Sequence, residues 1–312
     1  MADGWGDPPV TLPKNLILPR QYPPASQSNR AGAKLRGANL SYEKFNRADL
    51  TRADLRGANL EHIQLIDAQM ADANLSGATL AYADLTAASL RRAQLLGAVL
   101  MGATLSQATL AQANLAGANL TEAMLCDVNL TEADLSYAML RRTSLLGANL
   151  TRANMQQVNA NGAELYNINA NCTEMTGAHL QGCDLRQASL MHTNLTDANL
   201  TGANLNQATL KDTEADGAIL KQANLVRANL YQTNLTSAHL QQTLMRYATL
   251  TAVDLSGTQL QNAQLDHATI RDSHLQGICW HQVSVKGTQF QHPLGLSQTE
   301  KLWLRSQGAT VS

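Results

Sequence analysis

Apolar side chains recur at every fifth residue of this chain. From 35 to 290 each position divisible by five is apolar: 40 of these 52 centres are Leu, and the others are Phe45, Met70, Met155, Ala160, Ala170, Met175, Ala215, Met245, Ile270, Trp280, Val285 and Phe290. Two residues before each centre stands a small residue, Ala in 34 of the 52 cases. A period of five fits neither the 3.6 of a helix nor the 2.0 of a long strand. The inward pair is spaced by two, as in an extended segment, and the next inward residue follows three later. The chain is therefore expected to run extended, bend, and repeat in the same sense. Asn, Asp, Thr and Ser between the apolar pairs face outward and suit bends, because they bond their own backbone.

Glycine shows how many bends close a coil. It stands two residues after the centre at 37, 57, 77, 97, 117, 177, 217, 257 and 277, nine of the thirteen positions of one twenty-residue column, while the other three columns share Gly102, Gly147, Gly162, Gly182, Gly202 and Gly287. A four-sided coil of twenty residues accounts for this and a three-sided one does not. The 52 centres then make thirteen coils, and with strands stacked about 4.8 Å apart the rod is roughly 60 Å long.

Units such as Arg-Gly-Ala-Asn-Leu at Arg36–Leu40, Thr-Arg-Ala-Asp-Leu at Thr51–Leu55 and Ala-Asp-Ala-Asn-Leu at Ala71–Leu75 resemble the AxLxx repeats of the pentapeptide-repeat family, abundant in cyanobacteria. The resemblance covers about five-sixths of the chain. It implies an all-β fold, a right-handed quadrilateral β-helix; the handedness comes from the family and not from the spacing. Some members of that family act as DNA mimics that bind DNA gyrase through an acidic rod surface. Others influence cell differentiation or stress responses, and a C-terminal segment can serve in dimerisation.

The interior compensates its own irregularities. Where the centre shrinks to Ala160 or Ala170, the small position enlarges to Val158 or Ile168, and Met155 and Met175 nearby are flexible enough to fill gaps. The ends read differently from the 31–290 body. Residues 1–30 hold six of the seven prolines, with Val10, Leu12, Leu16, Ile17 and Leu18 expected to lie over the first coil as an N-cap. In 291–312, Pro293 stops the repeat, Ser297 to Glu300 reads as a capping box opening a short helix, and Gly308 ends it. Leu296, Trp303 and Leu304 are then placed to cover the last rung, since an open rung is the costlier defect. The rival role for this segment, implied by the family, is dimerisation.

Composition and charge narrow the function by exclusion. The net charge is −1, and the 31–290 body holds 21 acidic and 18 basic side chains, with Lys34, Arg36, Lys44, Arg47, Arg52 and Arg56 in the first two coils. Acidic groups cluster only locally (Glu122, Asp127, Glu132, Asp134; Asp212, Glu214, Asp216). This balance argues against DNA binding and departs from the acidic surface that gyrase mimicry needs. Cys126, Cys172, Cys183 and Cys279 show no paired spacing, and there is no apolar leader and no run long enough to span a membrane. A cytoplasmic protein is expected. No phosphate-binding glycine loop, nucleophile elbow or HExxH occurs, so neither a catalytic residue nor a cofactor is assigned. His267, His274, Cys279 and His281 fall towards the C-terminal rim without ligand spacing, and no metal site is expected there.

Violations of the repeat are then the most informative feature. Apolar residues at outward positions gather on two adjacent faces: Val99, Met101, Met139 and Ile219 on one, and Ile66, Met124, Leu146, Tyr166, Val226, Leu244 and Tyr247 on the next. Val99, Met101, Met124, Met139 and Leu146 fall within coils four to six. Clustered exposed apolar side chains mark interaction surfaces. The expected function is a non-catalytic scaffold or regulator whose rigid surface binds a protein partner or a second copy of the chain. A DNA-mimic inhibitor of gyrase is the alternative, and an enzyme, for which the sequence offers no residues, is the third class.

Overall fold

The computed structural model describes residues 29–312. The N-cap expected of residues 1–28, including Val10, Leu12 and Leu16, lies outside the described residues. The chain forms two compact units, one ending at Met139 and the other Leu140–Ser312.

Each unit is a β-solenoid whose rungs pair in parallel at an offset of twenty residues, up to the final pairing of the second unit. In the first, the bridges run Asn39, Asn59, Thr79, Val99, Asn119, Met139 on one face and Lys44, Gln64, Asp84, Thr104, Met124 on the next. In the second, Ser144, Glu164, Asp184 and Asn204 bridge one another in turn. A single rung shows how the ladder is satisfied: Leu40 N–H donates to Asn59 O at 2.8 Å, and Asn59 N–H donates to Ala38 O at 2.9 Å. Extended backbone persists for only about two residues on each side, because a corner follows.

Every residue two places after a centre, from 32 to 292, has a positive φ, between 48° and 76°. This is the third residue of a turn closed by bonds such as Ala58 N–H to Leu55 O at 3.0 Å, a position where φ > 0 is required in type II geometry. The outward residue before each centre supports the same corner. Asp49 Oδ1 accepts from Thr51 N–H at 2.9 Å and Asn74 Oδ1 from Ser76 N–H at 3.1 Å, which explains the preference for Asn and Asp there.

Centres and small positions are buried on all four sides, Leu80, Leu100 and Leu120 in the first unit and Leu180, Leu200 and Leu240 in the second among them. Burying each Leu contributes on the order of 2 kcal/mol. Val158, Ala160, Ile168 and Ala170 are all fully buried, as volume exchange requires. Glu43 is the one charged residue at a small position and is half-buried there.

One face of the second unit becomes a regular parallel sheet: β1 (Thr209–Lys211), β2 (Asn229–Tyr231), β3 (Thr249–Thr251), β4 (Thr269–Arg271), β5 (Gln289–Gln291) and β6 (Thr310–Val311), in that order. Beyond the corners after β1 to β4 the small position carries Thr213, Thr233, Val253 and Ser273 in place of Ala. Most of these are β-branched and suit extended backbone, and in these rungs pairing continues one residue past the centre, through Lys211, Tyr231, Thr251 and Arg271. The hydroxyls of this column, which also holds Thr193 one rung earlier, are not stranded. Thr193 and Thr213 donate to Ala170 O at 2.7 Å and Leu190 O at 2.6 Å, and Thr233 donates to Leu210 O.

At the C-terminal end α1 (Gln298–Ser306) opens with the expected capping box: Ser297 Oγ accepts from Glu300 N–H, and Glu300 accepts from Ser297 N–H at 2.7 Å. Gly308, at φ 88°, ends it. Leu304 is fully buried and Trp303 half-buried, while Leu302 is exposed. The sequence reading missed β6, which adds to β5 in the register Gln289 with Thr310 and Phe290 with Val311. Arg305 Nη2 donates to Val311 O at 2.8 Å and occupies part of the edge that β6 presents.

Cys183 occupies an inward small position. It donates to Ala160 O at 2.8 Å, and burial pushes its pKa up to about 12. Cys172 and Cys279 are exposed and Cys126 half-buried. A thiol reagent at neutral pH is expected to modify Cys172 and Cys279 quickly and Cys126 more slowly, and to reach Cys183 only in denaturant. Because the folded-state pKa is raised, the contribution of Cys183 is complete below the ordinary thiol value of 9.0 and is lost as pH climbs towards about 12. Denaturant titrations should show stability falling more steeply over that window in the wild type than in Cys183→Ala.

Candidate functional site

The coil leaves two kinds of outward position, the residue before each centre on a flat face and the two residues at each corner. Corner side chains from successive coils stand above one another, and their chemistry organises the surface. In the first unit Tyr42, His62 and Tyr82 stack with ring centroids 4.8 and 5.2 Å apart and near-parallel planes. The stack ends over Gly102, where a Cβ would lie 2.6 Å from the Tyr82 ring. In the second unit Tyr247 stacks on His267 at 5.2 Å, and His267 covers Gly287 in the same way. These stacks were legible in principle from aromatic residues spaced by twenty; no outward-apolar criterion selects His62.

Charged corners pair along the same columns. Arg92 donates bidentately to Asp72 at 2.7 and 2.8 Å, and Arg47 lies 3.6 Å from Asp67. Across a single corner Arg56 grips Asp54 and Arg186 grips Asp184. The Arg56 hydrogen bond holds Asp54 at a pKa of about 2, and the Arg92 and Arg186 side chains lower Asp72 and Asp184 likewise. These acids are neutralised where they stand, so they do not build a phosphate-like stripe. Exposed pairs of this kind contribute little to stability.

The apolar residues selected from the sequence fall into both units. In the first, Met124 and Met139 are 51% and 41% exposed, and Val99 and Met101 are half-buried. Val99 and Met139 stand on one face two rungs apart, with Asn119 between them, while Met124 bridges Thr104 on the next face. Met101 occupies the corner joining these two faces. In the second unit Leu146 is exposed, one rung from the half-buried Tyr166. Tyr166 receives the Arg186 guanidinium over its ring at 5.5 Å and donates its hydroxyl to Gln187 at 2.7 Å. Ile219, Val226 and Leu244 are half-buried, and Tyr247 is exposed in its stack with His267. Of the ten residues, the four in the first unit share two adjoining faces, and those in the second are spread along its length.

Among the described residues no three His, Cys, Asp or Glu side chains come together as a metal site, and no helix is long and apolar enough to cross a membrane. A cleft of about 430 Å³ lies in the second unit between α1 and the last coil, lined by Ile278, Trp280, His281, Thr299, Glu300 and Trp303. It was not foreseen, because the fold of α1 over Trp280 has no repeat to announce it.

Solved structures similar to this chain are themselves repeat proteins. HetL, a pentapeptide repeat protein involved in heterocyst differentiation regulation from the cyanobacterium Nostoc sp. strain PCC 7120, is 24% identical over 82% of this chain and 91% of its own, with a TM-score of 0.25. QnrB1, a plasmid-mediated fluoroquinolone resistance protein, is 16% identical over 56% of this chain and 89% of its own, with a TM-score of 0.40. Rfr23 from the cyanobacterium Cyanothece 51142 is 26% identical over 39% of this chain and 90% of its own, with a TM-score of 0.25. No curated protein matches the chain. The family model for pentapeptide repeats matches in eight copies, in segments running from 31–65 to 233–277. With that match across most of its length, built on unbroken five-residue corners, the chain belongs to the pentapeptide-repeat family.

Proposed function

We propose that the protein is a non-catalytic binding scaffold whose first unit docks a protein partner on Val99, Met101, Met124 and Met139. The supporting observation is the exposure of Met124 and Met139 at outward positions that elsewhere are mostly polar, Asn above all. Unbranched methionines at the surface adapt to a partner's shape, and the rigid coil beneath them costs little ordering on binding. Paired charges around the coil, such as Arg92 with Asp72, leave no field that would select nucleic acid.

Replacing Val99 and Met101 by Thr and Met124 and Met139 by Ser should preserve the thermal transition, since all four side chains point out. It should weaken binding of a captured partner by tenfold or more, equivalent to about 1.4 kcal/mol. Unchanged partner recovery and unchanged self-association, read by affinity capture and light scattering, would refute the assignment. Loss of self-association alone would identify the partner as a second copy. The competing reading, a topoisomerase-directed DNA mimic, predicts inhibition in a gyrase supercoiling assay that the four substitutions leave intact.

A further inference from the structure

We infer that the cleft between α1 and the last coil binds a peptide segment through a basic side chain, arginine or lysine, together with a neighbouring peptide carbonyl. This site is separate from the apolar surface of the first unit and does not depend on it. Trp280 stands at a centre where the repeat ordinarily places Leu. Its ring packs edge-on against Phe290 at 5.6 Å and is only 5% exposed, so its position is fixed by the core. Its indole Nε1–H is buried without an acceptor in the protein. Buried indole donors are ordinarily paired, and this one belongs to a residue lining an open cleft.

The rest of the lining defines what that acceptor can be. Glu300 is held in place because its Oε2 takes both Ser297 N–H at 2.7 Å and Ser297 Oγ at 2.6 Å. Its Oε1 takes no hydrogen bond from the described residues, and Glu300 is one of the residues lining the cleft. With Glu300 on the wall and neither Lys nor Arg lining the cleft, an anionic acceptor would be repelled, so a neutral carbonyl suits Trp280 best. Glu300 and the Trp303 ring in turn suit a cation, which gains from a carboxylate and an aromatic face at once. A basic residue within a peptide supplies both groups on one short stem. The volume of about 430 Å³ accommodates a side chain with its flanking peptide groups.

Three probes titrated into the full chain test this by NMR and calorimetry: Nα-acetyl-arginine methylamide, agmatine (the cation without a carbonyl) and Nα-acetyl-norleucine methylamide (the carbonyl without a cation). The first should bind saturably and shift the Trp280 and Trp303 indole signals, with the other two at least tenfold weaker. Glu300→Gln keeps an acceptor for the capping box and should weaken the arginine probe by about tenfold while leaving the norleucine probe unchanged. Trp280→Phe should erase the advantage of the arginine probe over agmatine. Failure of the arginine probe to saturate by about 10 mM would mean a cleft that holds only water. Equal binding of agmatine would mean a site for free organic cations, and equal binding of the norleucine probe a merely apolar one. Each of these, or an indifferent Glu300→Gln, overturns the inference.

Discussion

Val158→Ala and Ala160→Leu introduced together should leave the protein near wild-type stability, although each alone should destabilise it substantially. Both residues are fully buried on the same extended segment, two positions apart. Val158→Ala alone removes two methyl groups from a segment whose centre is already Ala. The lost transfer energy and the cavity together cost about 2–3 kcal/mol. Ala160→Leu alone forces a full-sized side chain beside Val158, and overpacking of this kind costs about 1–3 kcal/mol. The pair restores the Ala-then-Leu arrangement of the other rungs, so the double-mutant cycle should return a favourable coupling of about 3 kcal/mol or more, at or above the top of the usual range. Denaturant unfolding of the four proteins measures it. Simple additivity would show that Val158 and Ala160 do not share one volume, and Ile168 with Ala170 would then lose the same explanation.

That exchange could be read from the sequence because the repeat supplies its own control: every deviation has dozens of equivalent positions to stand against. The corner glycines were legible in the same way, as a column of period twenty. The reason for them was less visible. All corners have φ > 0, yet 37 of them carry residues such as Tyr42, Arg52, His62 and Gln107 in place of Gly. A sequence reader sees those as ordinary surface residues. What marks them is exclusion, since none of the 37 is Val, Ile or Thr, whose branched Cβ is least tolerant of left-handed backbone. The C-terminal end was legible only in part. Ser297 and Glu300 announced α1 through local chemistry, whereas β6 is two residues long and joins β5 at 21 residues, one off the period. Nothing periodic could place Thr310 and Val311 there or set α1 over Trp280. The outward methionines were identifiable as violations, but how far each protrudes depends on its neighbours, which is why Val99 is half-buried while Met124 is exposed.

The exclusion of branched residues from corners leads to an ordered series at Gly97. Its φ is 61°, no atom lies within 4 Å of an added Cβ, and its N–H donates to Ala116 O at 3.0 Å. Space is therefore not the issue, and each substitution isolates one backbone effect. Gly97→Asn should be nearly neutral, because Asn visits the left-handed region readily. Gly97→Ala should cost about 1 kcal/mol, the low end for placing a Cβ in left-handed backbone; Ala87 occupies such a corner natively at φ 57°. Gly97→Val should cost more than Ala although it meets nothing, since its branched side chain resists the same φ. Gly97→Pro should be the most damaging, at about 3 kcal/mol or more. Its ring holds φ near −65° and its missing N–H abandons Ala116 O inside the ladder. Thermal and denaturant unfolding should rank the variants Asn, Ala, Val, Pro. A Pro variant as stable as Ala would mean that the corner after Leu95 does not need φ > 0. The twenty-residue glycine column would then need a cause other than backbone conformation.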